Sequence, residues 1–257
     1  MDMPATRGLD AMLRRPLLLA AVLIAAVSCP WTAQAQDDHA ERRQRMIEVI
    51  ERYAWHLEAE LGARKIDERV LEAMGVLPRH LFVPKDRRRE AYADRPVPIG
   101  HGQTISQPLI VAFMTHLLEV EPDDVVLELG TGSGYQAAVL AKLVKSVCSI
   151  EIIPDLGNTA AEVLGSLGLD NVRTRIGDGY YGWPECGPFD AIVVTAAAGH
   201  IPPPLVAQLK PGGKMIIPVG SPYVTQQLVL IDKLADGRVT TRQMLAVRFV
   251  PLVREAP

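Results

Sequence analysis

Three glycines and an acid have the spacing of a nucleotide-binding site. Gly130, Gly132 and Gly134 follow an apolar, β-branched run at 125–129, and apolar residues at helical spacing come after them. Glycines allow a tight turn after a buried strand and bring bare backbone N–H groups close to a ligand. Glu151 ends the next apolar run, roughly 20 residues after the first glycine, where α/β nucleotide sites place the carboxylate that binds ribose hydroxyls.

The spacing of the glycines also discriminates between cofactors. A dinucleotide-binding loop has the pattern G-x-G-x-x-G, but Tyr135 occupies the position of its last glycine. The loop is therefore G-x-G-x-G, and together with Glu151 we interpret it as a site for S-adenosylmethionine. An ordinary strand-to-helix turn is the alternative, and it would leave Glu151 without a role.

A serine ahead of a predicted helix is a candidate for binding an anion. Ser106 lies just before Pro108, and apolar residues at helical spacing follow that proline. Unpaired N–H groups and the positive end of the helix dipole point toward the same place as such a hydroxyl. A serine that only caps the helix is the alternative, and position alone favours it.

A second acid follows another predicted strand. Asp178 lies between Gly177 and Gly179, directly after the apolar run at 172–176. The carboxyl ends of strands in an open α/β sheet face the crevice where ligands bind, so we assign Asp178 to the surroundings of an adenine. An aspartate that stabilises its own turn is the alternative.

Composition limits the class of protein. The 257 residues are 48% hydrophobic, enough for one large core. The net charge is −3 without a basic block, and aromatic residues make up 5%, so nucleic acid is not the expected partner. The six histidines have no metal-ligand spacing, and we predict no metal site. A small molecule or a peptide is the expected substrate.

The first 35 residues resemble an export signal. Arg14 and Arg15 precede an apolar run at 17–27, and Ala33-Gln34-Ala35 has the small-x-small pattern of a cleavage site. The run is shorter than the roughly 20 residues that a membrane-spanning helix needs. We therefore predict cleavage after Ala35, a periplasmic location, and no stable membrane association after cleavage. A cytoplasmic location is the alternative.

Two cysteines remain in the predicted mature chain. Cys148 falls in a predicted strand and Cys186 in a predicted loop. They could pair in an exported protein, but a sequence does not give their separation in space. Buried free thiols are the favoured interpretation.

The periodicities predict an α/β protein with a doubly wound, mostly parallel, seven-stranded sheet. Residues 36–98 form an N-terminal part, with a polar lead-in at 36–42, two helices at 46–61 and 67–75, and an irregular segment. Residues 99–253 form the catalytic core of the same single domain, 36–257. The predicted strands are 125–129, 146–150, 172–176, 189–195, 214–219, 227–231 and 244–250.

Several motifs in this order resemble the protein-L-isoaspartate O-methyltransferase family, which belongs to the class I methyltransferases with a Rossmann-like fold. They are GQTISQP at 102–108, VLELGTGSGYQ at 126–136, GDG at 177–179, FDAIVVTAA at 189–197, LKPGGKMIIPVG at 209–220 and VRFVPL at 247–252. The resemblance runs from about residue 46 to residue 253. Other class I methyltransferases, which act on small molecules or RNA, share only the glycine loop and the acid, and a noncatalytic binding protein would not need all these motifs.

The resemblance implies transfer of a methyl group from S-adenosylmethionine to the free carboxylate of L-isoaspartyl residues in damaged proteins and peptides. It implies Ser106 as the catalytic residue and Val250, Pro251 and Leu252 as substrate-binding residues. The cofactor-binding residues would be Gln103, Thr104, Ile105, Val111, Glu128, Gly130, Gly132, Gly134, Glu151, Asp178, Gly179 and Gln226.

One departure concerns the loop after FDAIVVTAA, where many members have proline and this chain has Ala198-Gly199-His200. We expect a monomer.

Overall fold

A computed structural model describes residues 30–61, 65–221 and 224–254 and contains nine strands. A small hairpin comes first, and seven strands then form the central sheet in the order β5-β4-β3-β6-β7-β8-β9. The strands are β1 (Val97–Gly100), β2 (Gln103–Ile105), β3 (Val125–Leu129), β4 (Ser146–Glu151), β5 (Val172–Ile176), β6 (Phe189–Val194), β7 (Leu209–Val219), β8 (Gln226–Lys233) and β9 (Val239–Val247). The predicted seven-stranded α/β sheet is confirmed.

The direction of the strands creates a crevice at one edge. The strands β5, β4, β3, β6 and β7 pair in parallel, whereas β8 and β9 are antiparallel. The chain builds outward from β3 through β4 to β5 and then returns to the other side of β3 with β6. Open α/β sheets bind ligands at such a switch point, outside the carboxyl ends of the strands.

The predicted boundaries of the last strand are wrong. The sequence placed it at 244–250, but β9 begins at Val239 and ends at Val247. The exposed first half of β9 lacks the apolar alternation on which the prediction relied. Residues 248–250 therefore lie outside the sheet, and they line a cavity that is described below.

The helices cover both faces of the sheet. They are α1 (Pro30–Ala54), α2 (Glu58–Leu61), α3 (Glu68–Val76), α4 (Pro108–Leu117), α5 (Tyr135–Ala141), α6 (Pro154–Ser166) and α7 (Pro203–Gln208). Alternate residues of each strand point to opposite faces, so Val126 belongs to one buried cluster with α1, α3, α4 and α5, and Leu127 to another with α7.

The N-terminal region differs from the prediction. Residues 36–42 belong to α1, so the prediction of a polar lead-in ahead of the first helix is wrong. Most of the predicted export signal, residues 1–29, lies outside the described residues, and the predicted cleavage point after Ala35 falls within α1. None of the helices in the described part of the chain is long and apolar enough to cross a bilayer.

Cys148 and Cys186 form a disulfide, with their Cα atoms 6.6 Å apart. The prediction of free thiols is therefore wrong. The alternative, that the two cysteines pair, is confirmed. The N–H groups of Cys186 and Gly187 both donate to the carbonyl of Trp183, at 3.0 and 3.2 Å. This turn brings Cys186 back over the face of the sheet on which Cys148 is buried. Sequence spacing alone could not show that contact.

A stacked histidine pair joins α1 to the turn that follows α3. The rings of His39 and His80 are 3.8 Å apart and nearly parallel, at 7°. Nδ1 of His80 lies 2.8 Å from the hydroxyl of Tyr92. Burial, and then the nearby charges of His39, Arg88 and Arg43, lower the pKa of His80 to about 4.

Folding stability is expected to decrease as the pH falls from about 6.5 toward 4. In this range His80 becomes protonated in the unfolded chain but stays neutral in the folded protein. His80→Gln should reduce the slope of unfolding free energy by less than about 1.4 kcal/mol per pH unit, because water screens a half-buried ring. Urea unfolding between pH 4.5 and 7 measures the slope. His56→Gln, at an exposed histidine, is the control. An unchanged slope in His80→Gln would contradict this account.

Candidate active site

The loop between β3 and α5 depends on its glycines for backbone conformation. Gly130, Gly132 and Gly134 have φ angles of 89°, 52° and 85°, which other residues rarely adopt. A Cβ atom on Gly130 would lie 2.5 Å from Oγ1 of Thr195. A side chain at this position would therefore disturb both the loop and the end of β6.

Glu151 closes this loop from the end of β4. Its Oε2 accepts the N–H of Gly132 at 2.7 Å, and its Oε1 accepts the N–H of Ile153 at 2.9 Å. The N–H of Gly130 donates to the carbonyl of Ile150 at 2.8 Å. The expectation of bare glycine N–H groups is thus wrong for all three glycines. The N–H groups of Gly130 and Gly132 donate to β4 and its terminal acid, and the N–H of Gly134 donates to the carbonyl of Thr131 at 2.7 Å. The two carboxylate oxygens of Glu151 still have lone pairs for hydroxyl donors.

Glu128, in β3, is a buried acid with one unpartnered oxygen. Its Oε2 accepts a hydrogen bond from the hydroxyl of Ser149, which lies 2.5 Å from the hydroxyl of Thr131. Its Oε1 is buried and has no partner among the described residues. Burial, with a smaller effect from the charge of Glu151, raises the pKa of Glu128 to about 8. An unpartnered buried carboxyl oxygen beside a cleft fits a positively charged group of a ligand.

A cleft that is open to solvent lies at the carboxyl edge of β3, β4 and β6. Most of the predicted site residues line this cleft together. They are Gln103, Thr104, Ile105, Ser106, Val111, Glu128, Gly130, Gly132, Glu151, Gly179, Val250, Pro251 and Leu252.

Three predicted site residues do not line the cleft. Gly134 begins α5 and packs toward α6, where a Cβ atom on it would lie 3.2 Å from Cβ of Ala160. Gln226 is buried, and its Oε1 accepts the N–H of Phe249 at 2.9 Å. Gln226 therefore fixes the segment that follows β9. The third residue, Asp178, is not in the lining, although its neighbour Gly179 is.

Asp178 is already engaged by two donors. Its Oδ1 accepts the N–H of Tyr180 at 2.9 Å, which is the turn-stabilising role considered as the alternative. Its Oδ2 accepts a hydrogen bond from Nε of Arg254 at 2.8 Å. The guanidinium carbon of Arg254 also lies 3.6 Å from the centre of the Tyr180 ring. The C-terminal segment is thus tied to the loop after β5.

The start of α4 leaves Ser106 free. Oδ1 of Asp94 accepts the N–H of Leu109 at 3.0 Å, and Oδ2 accepts a hydrogen bond from Nε2 of Gln107 at 2.8 Å. Asp94 therefore supplies the cap of this helix. The hydroxyl of Ser106 has no hydrogen-bond partner in the described part of the chain, and the interpretation of Ser106 as a plain capping residue is wrong.

A second cavity adjoins the cleft at Ser106. Thr104, Ser106, Thr195 and Val250 line both spaces, and Arg248 is the one charged residue in the lining of the second cavity. The remaining lining consists of Pro96, Gln107, Ile110, Ala246, Val247 and Phe249. The free hydroxyl thus lies where the two spaces meet.

Sequence reasoning did not assign a role to Thr195, Thr131, Tyr135 or Gln136, which also line the cleft. Thr195 follows β6 at the switch point, and its hydroxyl donates to the carbonyl of Gly130 at 2.6 Å. Its position directly after a central strand was the available signal. No cluster of three or more possible metal ligands occurs within residues 30–61, 65–221 and 224–254.

Comparisons with known proteins agree on one family. The sequence profile of "Protein-L-isoaspartate(D-aspartate) O-methyltransferase (PCMT)" matches residues 56–256. A protein-L-isoaspartate O-methyltransferase 2 from Syntrophobacter fumaroxidans is 60% identical over 218 residues, 85% of this chain and 88% of that protein. A protein-L-isoaspartate O-methyltransferase 1 from Cupriavidus necator is 55% identical over 240 residues, 93% of each chain.

A solved structure agrees with the sequence relatives. It is assigned to a protein-L-isoaspartate O-methyltransferase from Plasmodium falciparum in complex with S-adenosyl-L-homocysteine. That structure has a TM-score of 0.69 and 28% identity, over 84% of this chain and 99% of its own. The family profile spans most of this chain, and relatives above 50% identity cover nearly all of it. The chain therefore belongs to the protein-L-isoaspartate O-methyltransferase family.

Proposed function

We infer that this chain transfers the methyl group of S-adenosylmethionine to the free carboxylate of L-isoaspartyl residues in damaged proteins and peptides. The ester then allows repair through a succinimide to L-aspartyl. Family membership supports this function. The observation in the structure that carries it is the unpartnered hydroxyl of Ser106 at the junction of a cofactor-type cleft and a second cavity.

The residues of the cleft fit the cofactor. S-adenosylmethionine, when bound, supplies a methyl group made electrophilic by a sulfonium. Glu151 offers carboxylate lone pairs to ribose hydroxyls, and the unpartnered oxygen of Glu128 suits a positively charged group. We assign Asp178 and Gly179 to the adenine side of the cofactor. The carboxylate of Asp178 also accepts a hydrogen bond from Arg254. Gly134 and Gln226 would act indirectly, through the loop and the segment that they hold.

The chemistry requires orientation rather than proton transfer. A carboxylate with a pKa of about 4 is already ionised at neutral pH, so it can attack a methyl group without a general base. Neither cavity is lined by a histidine, lysine or cysteine. We assign to Ser106 the role of donating a hydrogen bond to the substrate carboxylate, which holds it in line for attack. A covalent serine would need an adjacent base.

The later repair steps need no further residue. In the methyl ester, the backbone nitrogen that follows the isoaspartyl residue attacks the ester carbonyl and methanol leaves. The resulting succinimide is opened by water at either carbonyl, which returns a fraction of the residues to L-aspartyl linkage.

The protein should discriminate between two peptide linkages. Two peptides of identical sequence, one with an L-isoaspartyl and one with an L-aspartyl linkage, are incubated with the protein and S-adenosylmethionine labelled in its methyl group. Only the isoaspartyl peptide should become labelled, because only its backbone places the carboxylate on the short side branch. Labelling of both peptides alike, or of a small molecule or RNA instead, would overturn the assignment.

Replacement of Ser106 by alanine should reduce turnover by roughly 10- to 100-fold, the effect of losing a hydrogen bond to a charged group. Affinity for S-adenosylmethionine, measured by calorimetry, should change less than about twofold. Ser166→Ala removes an exposed hydroxyl on α6 and is the matched control. Lost cofactor binding with normal turnover at saturation would contradict the role given to Ser106.

We further propose that residues 1–35 are removed on export and that the protein acts in the periplasm. The Cys148–Cys186 disulfide supports this location, because disulfides persist in oxidising compartments and are rare in the cytosol. The alternative is the cytoplasm, where S-adenosylmethionine is made. We also propose a monomer without stable membrane association.

Export predicts a defined mass and thiol content. The protein isolated from its native host should have the mass of a chain that begins at Gln36, and it should show no free thiol when denatured without reductant. Intact-mass spectrometry before and after alkylation makes both measurements. A full-length chain with alkylated cysteines would instead indicate the cytoplasm.

A further inference from the structure

Arg79 is a fully buried cation that contacts the backbone of the proposed catalytic serine. Its side chain is 0% exposed. Nη2 donates to the carbonyl of Ser106 at 2.5 Å, and Nε donates to the carbonyl of Ala91 at 2.7 Å. Its guanidinium carbon lies 4.5 Å from the centre of the Tyr135 ring. Arg79 thus joins the turn after α3 to the start of α4.

The charge of Arg79 is not neutralised by an ion pair. No described carboxylate lies within ion-pair distance, and Nη1 is buried without a hydrogen-bond partner. Burial of a charge without an opposite charge lowers folding stability. A neutral amide donor could satisfy a carbonyl without the cost of burying a charge, so hydrogen bonding alone does not require a guanidinium here.

The carbonyl that Arg79 binds belongs to the same peptide unit as the N–H of Gln107. This N–H has no hydrogen-bond partner in the described part of the chain. Gln107 and Ser106 both line the second cavity, and both are partly exposed. Asp94 accepts hydrogen bonds from the N–H of Leu109 and from the side-chain amide of Gln107. Two donors without a partner among the described residues, the Ser106 hydroxyl and the Gln107 N–H, therefore belong to residues that line the cavity.

We propose that Arg79 is a positioning residue for methyl transfer. By binding the Ser106 carbonyl, it fixes and polarises the Ser106–Gln107 peptide unit, so that the Ser106 hydroxyl and the Gln107 N–H donate together to the substrate carboxylate. This inference rests on the proposed function. A carbonyl that accepts a hydrogen bond makes the N–H of its own amide a better donor, by about 10–30% in condensed-phase estimates of cooperativity.

The charge distribution of the site favours this role. Glu151 lines the cleft, so an incoming carboxylate meets an acid on the cofactor side. Arg248 lines the second cavity, but it is exposed, and water and salt screen its charge. The charge of Arg79 is shielded from solvent, and its contact with Ser106 is through the Ser106–Gln107 peptide unit.

Two variants test the proposal. Arg79→Lys keeps a charge but loses the planar fork that reaches both carbonyls, and Arg79→Gln removes the charge. For the isoaspartyl peptide, kcat/KM should fall at least tenfold in Arg79→Lys and about 100-fold in Arg79→Gln. Affinity for S-adenosylmethionine should stay within about twofold, so the loss should appear in kcat and in KM for the peptide.

Arg43 provides a matched control. Its Nε donates to the carbonyl of Gly75 at 2.6 Å, which is a similar guanidinium–carbonyl contact outside both cavities. Arg43→Gln should lower the melting temperature without changing kcat/KM for the peptide. If Arg79 were only a structural link, its variants would lose stability, cofactor affinity and activity in parallel, and that pattern would overturn the proposal.

The amide resonance of Gln107 gives a readout independent of turnover. In the wild-type protein saturated with S-adenosylhomocysteine, the isoaspartyl peptide should shift the Gln107 amide proton downfield, and the aspartyl peptide should not. In folded Arg79→Gln, the resonance should start upfield of the wild-type position. If neither variant folds, the wild-type titration decides, and an unshifted Gln107 resonance overturns the proposal. Wild-type protein that fails to methylate the isoaspartyl peptide refutes the proposed function instead.

Discussion

The site depends on the parallel pairing of β3 with β4. Leu129 pairs with Ile150, so both strands reach the edge of the sheet at the same level. The carbonyl of Ile150 can then accept the N–H of Gly130, and the carboxylate of Glu151 can accept the N–H of Gly132. A shift of one residue in this register would turn Glu151 to the other face of the sheet. The glycine loop and its acid are therefore set by one strand pair.

The substrate side is built from different parts of the chain. Arg79 and Asp94 come from the segment between α3 and α4, and both form hydrogen bonds to the turn that contains Ser106. Gln226, at the start of β8, holds Phe249 in the segment that lines both cavities. The region before residue 98 thus contributes to the site and does not only cover the sheet.

Local spacing predicted the cofactor side well, because strand, glycine loop, helix, strand and Glu151 follow one another within about 30 residues. The position of Ser106 in the sequence does not show that its hydroxyl is free. The residue that caps α4 is Asp94, which lies 15 residues before Leu109, whose N–H it accepts. The disulfide joins residues that are 38 positions apart. The hydrogen bond from Arg254 to Asp178 joins residues that are 76 positions apart. Sequence patterns report periodicity along a segment, and they do not report which distant segments meet.

The nature of the reaction explains why backbone contacts dominate this site. A substrate that arrives ionised needs no proton removed, so a group that titrates near neutral pH would add little on the substrate side. What limits such a transfer is the fraction of time in which oxygen, methyl carbon and sulfur lie in line. That fraction depends on how firmly the donors are held, and here Arg79, Asp94 and Gln226 each act on a backbone carbonyl or N–H. In this arrangement, Arg79, Asp94 and Gln226 line neither cavity, yet they hold the backbone beside the space that we assign to the substrate.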